Sequence, residues 1–146
     1  MTLVTGRSIP GIRETSPVVD ETKKYADSIS DDFDLVIIDT AAGSHCSVMT
    51  ALEGSDSAIA VTEPTPMGAH DLNVIIGVLN ILEIPSSIAL NQSDLGDRTL
   101  ITSLSKKLSI PISHTMAYSR KLAEAYSNGE FMQHPDLVDL MKSSQS

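Results

Sequence analysis

Short runs of apolar, largely β-branched residues alternate along this chain with longer stretches of helical periodicity, and that alternation limits its fold more than any other feature. Leu35-Val36-Ile37-Ile38 is four apolar residues in a row, the pattern of a strand covered on both faces. Ser57–Val61 and Ser86–Leu90 repeat it, and Leu3-Val4 and Ile110–Ser113 read as shorter strands. Between them fall a helix over Ser16–Ser28 with Pro17 at its start, and a small-residue segment, Ala41–Leu52, holding a helix that ends at Gly54. Thr65-Pro66 then opens a helix carrying Leu72, Ile75, Ile76, Leu79 and Leu82 at three- and four-residue spacing. Further helices are expected over Arg98–Leu108, from Ser119 to Asn128-Gly129, and from Pro135, where Asp136 and Asp139 suit the positive end. Strands alternating with helices specify parallel βαβ units. The expected architecture is one α/β domain over residues 1–146, doubly wound, with helices on both faces of a mostly parallel sheet of about four or five strands.

Composition narrows the function. The formal net charge is −9, which argues against nucleic-acid backbones as partners, since that affinity comes from Lys and Arg. Without Trp, and with three Tyr and two Phe, the chain offers little for stacking single-stranded bases. No apolar run approaches the roughly 20 residues of a membrane span. One cysteine, Cys46, excludes an internal disulfide, and a reducing, cytoplasmic setting is expected. Charge is also unevenly placed. From Tyr25 to Asp97 there are 12 acidic residues and no Lys or Arg, so all ten basic residues lie outside that stretch. A nucleotide's phosphates find no basic side chain in the middle of the chain.

Three segments carry chemistry. Asp34-Leu35-Val36-Ile37-Ile38-Asp39-Thr40-Ala41-Ala42-Gly43 delivers Asp39 at the C-terminal end of an expected strand, where ligands of open α/β sheets sit. A carboxylate there suits magnesium held through water, and Gly43 suits close approach of a backbone N–H to a phosphate. The same residues suit a strand-end Asp capping the next turn, and the motif alone leaves both readings open. Asn91-Gln92-Ser93-Asp94 follows another strand. Its Asn amide has the donor and acceptor to read a purine edge, or it makes an Asx turn. Glu63-Pro64-Thr65-Pro66 ends the middle strand and by itself is a helix start. Cys46 reads as a small buried apolar residue. His45, His70, His114 and His134 share no metal-ligand spacing and read as surface or capping residues.

Taken in order, these pieces resemble the MinD/ParA/Mrp branch of P-loop ATPases, above all the MinD-like group with an inserted ferredoxin module. Ile37-Ile38-Asp39-Thr40-Ala41-Ala42-Gly43-Ser44-His45-Cys46-Ser47-Val48 is similar to that group's strand and switch segment. Val61-Thr62-Glu63-Pro64-Thr65-Pro66, with His70-Asp71-Leu72, looks like its next strand and helix start. Leu90-Asn91-Gln92-Ser93-Asp94 looks like its Asn-Lys-x-Asp segment, and Ile110-Pro111-Ile112 with Ala123-Glu124-Ala125 and Gly129 looks like its C-terminal strand and helix. The resemblance runs from about Leu3 to Gly129. It implies a partial P-loop NTPase fold that uses ATP and magnesium. Asp39 would be the catalytic, magnesium-associated aspartate, Gly43 would face the terminal phosphate, and Asn91 would read the adenine with backbone near Pro111.

The departures are as telling. No G-x-x-x-x-G-K-[ST] loop occurs, and that loop supplies the N–H cradle, the phosphate lysine and the magnesium-binding hydroxyl. The ferredoxin cysteines are absent too. Ala41-Ala42 stands where the group has Pro-Pro, and Gln92 where it has Lys. The chain therefore reads as the C-terminal portion of such a domain, lacking the P-loop and inactive alone, with ATP bound weakly or not at all. Two other classes stay open: a non-catalytic interaction module on the same fold, and a relative of cobyrinic acid synthetase-type enzymes. An exposed apolar edge is expected, to be met by self-association or by the missing N-terminal half. An iron–sulfur or redox protein is the further partner the resemblance implies.

Overall fold

In the computed structural model, the residues described are 2–9, 11, 15–130, 132, 135, 138 and 139. The chain forms two compact units, Met1–Ser55 and Asp56–Ser146.

The first unit is helical. Helix α1 spans Ser16–Ser28 with Pro17 in its first turn, and a short 3₁₀ turn over Ser30–Asp32 follows. Helix α2, Cys46–Leu52, packs against α1 and buries Val48 and Ala51. The Leu35–Ile38 segment, expected as a buried strand, belongs to no sheet, and Ile37 is 62 % exposed. Leu3-Val4 forms no strand either. Both corrections have one cause. An apolar run is only half of a strand, because a neighbouring backbone must complete the ladder, and the described residues of this unit provide none. Cys46 is likewise exposed rather than buried, since it sits at the first position of α2 facing away from Val48 and Ala51.

The second unit holds the α/β architecture. Its three strands, β1 (Ala58–Thr62), β2 (Ser86–Leu90) and β3 (Ile112–Thr115), lie in the order β1-β2-β3 and pair in parallel throughout. The sheet is therefore smaller than the four or five strands expected. Helix α3 (Pro66–Ile81) crosses from β1 to β2 and packs on β1, burying Leu72, Ile76 and Leu79. Helix α4 (Arg98–Leu108) crosses from β2 to β3, packs on α3 and buries Ile101. Helix α5 (Arg120–Ser127) follows β3, with Ser119 accepting a hydrogen bond from Leu122 N–H. Ile76, Leu79, Ile88, Leu90 and Ile101 form the aliphatic centre of this unit. The helix expected from Pro135, and His134 and Asp136 with it, falls largely outside the described residues.

The third strand begins later than the apolar pattern suggested. Ser109 takes a left-handed conformation (φ 57°) at the end of α4, and Ile110 N–H then donates back to Ser105 O. That closing turn holds Ile110 to the helix, and Pro111 has no N–H to add to a ladder. Pairing starts at Ile112. Glu83 (φ 57°), between α3 and β2, is also left-handed, as is Gln92 (φ 47°) beyond β2.

Candidate functional site

The C-terminal ends of the three parallel strands are tied together by their own backbones. Asn91 N–H donates to Thr62 O at 2.8 Å, joining the exits of β2 and β1. Met116 N–H donates to Leu90 O at 2.9 Å, and Ser93 N–H to Met116 O at 3.0 Å, joining the exits of β2 and β3. The Asp94 carboxylate then accepts from Tyr118 N–H at 2.7 Å, across 24 residues. Ser93 is 4 % exposed, so the loop after β2 is a packed element. Left-handed Gln92 makes the bend that returns the chain toward β3.

The loop after β1 is fixed in the same way. Thr65 Oγ1 accepts from Gly68 N–H at 3.0 Å, capping α3 as its sequence indicates, and Pro66 opens the helix. Buried Thr62 donates its hydroxyl to Gly68 O at 2.9 Å. Gly96 packs so tightly that a Cβ there would overlap the carbonyl of Pro64. Past it, Asp97 caps α4, accepting from the Thr99 hydroxyl at 2.6 Å and Thr99 N–H at 2.9 Å. The Thr99 hydroxyl first, and its N–H second, hold the Asp97 carboxyl below its ordinary value of 3.8.

The four residues named from sequence therefore fall in three places. Asn91, half-buried, sits at this stitched edge beside Thr62 and Glu63. Pro111 does not. Its carbonyl accepts from Ile88 N–H at 2.9 Å, at the opposite end of the parallel sheet, four residues or roughly 13 Å along the strand direction from Asn91. The backbone brought to Asn91 is that of Met116, which the start of β3 two residues later than expected explains. Asp39 and Gly43 belong to the first unit. Asp39 is exposed and, with Leu3, Val19, Phe33, Leu35 and Val48, lines a groove of about 630 Å³. Gly43 has φ 99°, a backbone that a side chain resists.

Sequence reasoning missed Asp94, Gly96 and Thr62. Asp94 was visible as the last residue of Asn-x-x-Asp, but its partner Tyr118 lies a whole helix and strand away. Neither Gly96 nor Thr62 carries a sequence signal for its contacts. Among the described residues no three His, Cys, Asp or Glu side chains gather as a metal site, and no helix is long and apolar enough to cross a membrane.

No protein-family model matches the chain. By sequence it is 39 % identical over 136 residues to an uncharacterized protein of Methanocaldococcus jannaschii, covering 92 % of this chain and 46 % of that one. It is 29 % identical over 124 residues to the septum site-determining protein MinD of Bacillus subtilis, covering 80 % and 46 % respectively. Its fold matches a ParA family ATPase of Chlorobium tepidum with a TM-score of 0.66 at 19 % identity, over 93 % of this chain and 57 % of that one. The chain spans about half the length of the curated relatives it matches. In sequence and in fold it resembles the MinD/ParA-type P-loop ATPase superfamily.

Proposed function

We propose that this chain carries the base-recognising and switch portion of a MinD/ParA-like ATPase, in which ATP binding and slow hydrolysis drive a conformational switch, and that it does not hydrolyse ATP by itself. The observation that carries the reading is the backbone stitching at Asn91. It sets a side-chain amide at the C-terminal edge of a parallel sheet, the side on which such sheets bind ligands.

The residues fit one end of the nucleotide and not the other. An Asn amide held beside the Met116 backbone is suited to the donor and acceptor pattern of a purine edge. Gly43, whose φ of 99° leaves its N–H unshielded by a side chain, suits a phosphate contact, and Asp39 suits magnesium through water. Yet magnesium is ordinarily held by one or two carboxylates together with substrate phosphates. Nothing in the sequence supplies the Gly-rich cradle or its lysine, and Tyr25–Asp97 holds no basic residue at all. No hydrolytic step is assigned to this chain's own residues.

Calorimetry with ATP and magnesium tests the proposal. The expected result is weak or undetectable binding and no phosphate release. A micromolar dissociation constant with turnover that Asp39→Asn abolishes would overturn it. A second reading, a docking module that keeps the fold without the chemistry, is favoured by the missing phosphate loop. Nucleotide binding that stays absent when the rest of a relative's fold is supplied in trans would select that module.

A further inference from the structure

Strand β1 has the structure of an interior strand, yet one of its edges is bare. Ala58 N–H donates to Pro85 O, and Thr62 O accepts from Asn91 N–H, so even-numbered residues of β1 face β2. In a parallel strand the N–H and C=O of one residue point the same way, which turns those of Ile59 and Val61 toward the open edge. Among the described residues no strand pairs with them. Both faces of β1 are apolar: Ala58 and Ala60 lie on one, Ile59 and Val61 on the other, and Val61 is 66 % exposed. Strands of this kind belong inside parallel sheets, covered on both sides. Natural edge strands carry charges, a proline or a bulge against stray pairing, and Ala58-Ile59-Ala60-Val61-Thr62 has no such residue.

We propose that the β1 edge is a strand-addition site, and that its occupant is an uncharged parallel strand from the part of the relatives' fold that this chain does not match. The proposal rests on the family reading above. Two observations select this occupant. The matched relatives are about twice as long as the matched region, so chain of the required kind exists in them. A second copy is disfavoured by symmetry, because a two-fold axis pairs an edge with itself in antiparallel, while every pairing in this sheet is parallel.

The test co-expresses this chain with the portion of the Methanocaldococcus jannaschii relative outside the matched residues, as a separate polypeptide. Amide exchange is then read residue by residue. A stable complex is expected in which the Ile59 and Val61 amides exchange at least about tenfold more slowly, with the interior amides of β2 unchanged. Val61→Pro removes one outward N–H and none facing β2, so it should keep the melting curve and lose the complex. Val61→Lys, which keeps the N–H and adds charge to the open face, should weaken the complex too. The proposal is overturned by no complex, by a complex without protection at Ile59 and Val61, or by both variants binding normally. A homodimer of this chain alone that protects the same amides would overturn the occupant. None of these readouts involves nucleotide, so the ATP proposal stands or falls separately.

Discussion

Gly96→Ala is the substitution whose effect follows most directly from the geometry. A methyl group at Gly96 would overlap the Pro64 carbonyl, with Pro64 C at 3.1 Å and its ring Cγ at 3.2 Å. Pro64 is buried, its ring fixes the backbone, and Thr65 next to it is held by the α3 cap, so the loop cannot yield cheaply. Overpacking of this kind costs about 1–3 kcal/mol. With an m-value of about 1 kcal/mol/M in urea, the midpoint of the second unit should fall by roughly 1–3 M. Gly77→Ala is the matched control. Gly77 lies inside α3 with nothing within 4 Å of a Cβ, so alanine there should stabilise by about 0.5–1 kcal/mol. The same chemical change thus has opposite signs at two positions. Urea titration followed on the Ile88 and Ile101 amides reports this unit specifically. A Gly96→Ala midpoint at or above the parent's would refute the packing argument.

Other outcomes follow from single contacts. Thr65→Ala removes the α3 cap and should cost about 1 kcal/mol in the same titration, with Thr65→Ser restoring most of it. Ile76→Ala, at a fully buried position of α3, should cost about 2–5 kcal/mol. The depressed Asp97 titration makes its cap contribution complete above the ordinary value of 3.8 and lost as pH falls through the lower folded value. An NMR titration should place the Asp97 carboxyl midpoint below 3.8, and Thr99→Ala should move it back up.

Much of the second unit was readable from residues alone, because its signals are local. Two consecutive apolar strands, the Thr65-Pro66 start, the α3 stripe and the Ser119 cap each depend on neighbours within a few positions. What was not readable depends on distance. Leu35–Ile38 has strand composition, but composition cannot supply the partner that makes it a strand. The start of β3 turned on a left-handed Ser109, a conformation serine seldom announces. At the candidate site, Asn91 was visible through its place after a strand. Its actual companions are Thr62 and Met116, set by sheet register, while Pro111 lies at the far end because the strand it introduces starts one turn later. The Asp94 carboxylate looked like a turn residue and is instead a long-range tie.

The three left-handed side-chain residues bear on how such a sequence can drift. Each costs on the order of 1 kcal/mol relative to an unstrained residue. Glu83 and Ser109 sit at helix-to-strand corners, at the end of the sheet away from Asn91. There a change to Gly or Asn relieves strain and leaves the Asn91 edge untouched. Gln92 offers no such freedom, because its bend delivers Ser93 and Asp94 to their partners. Lineages that take up harmful changes near Asn91 therefore have two remote corners at which one replacement restores the loss, and sequence variation is expected to accumulate there first.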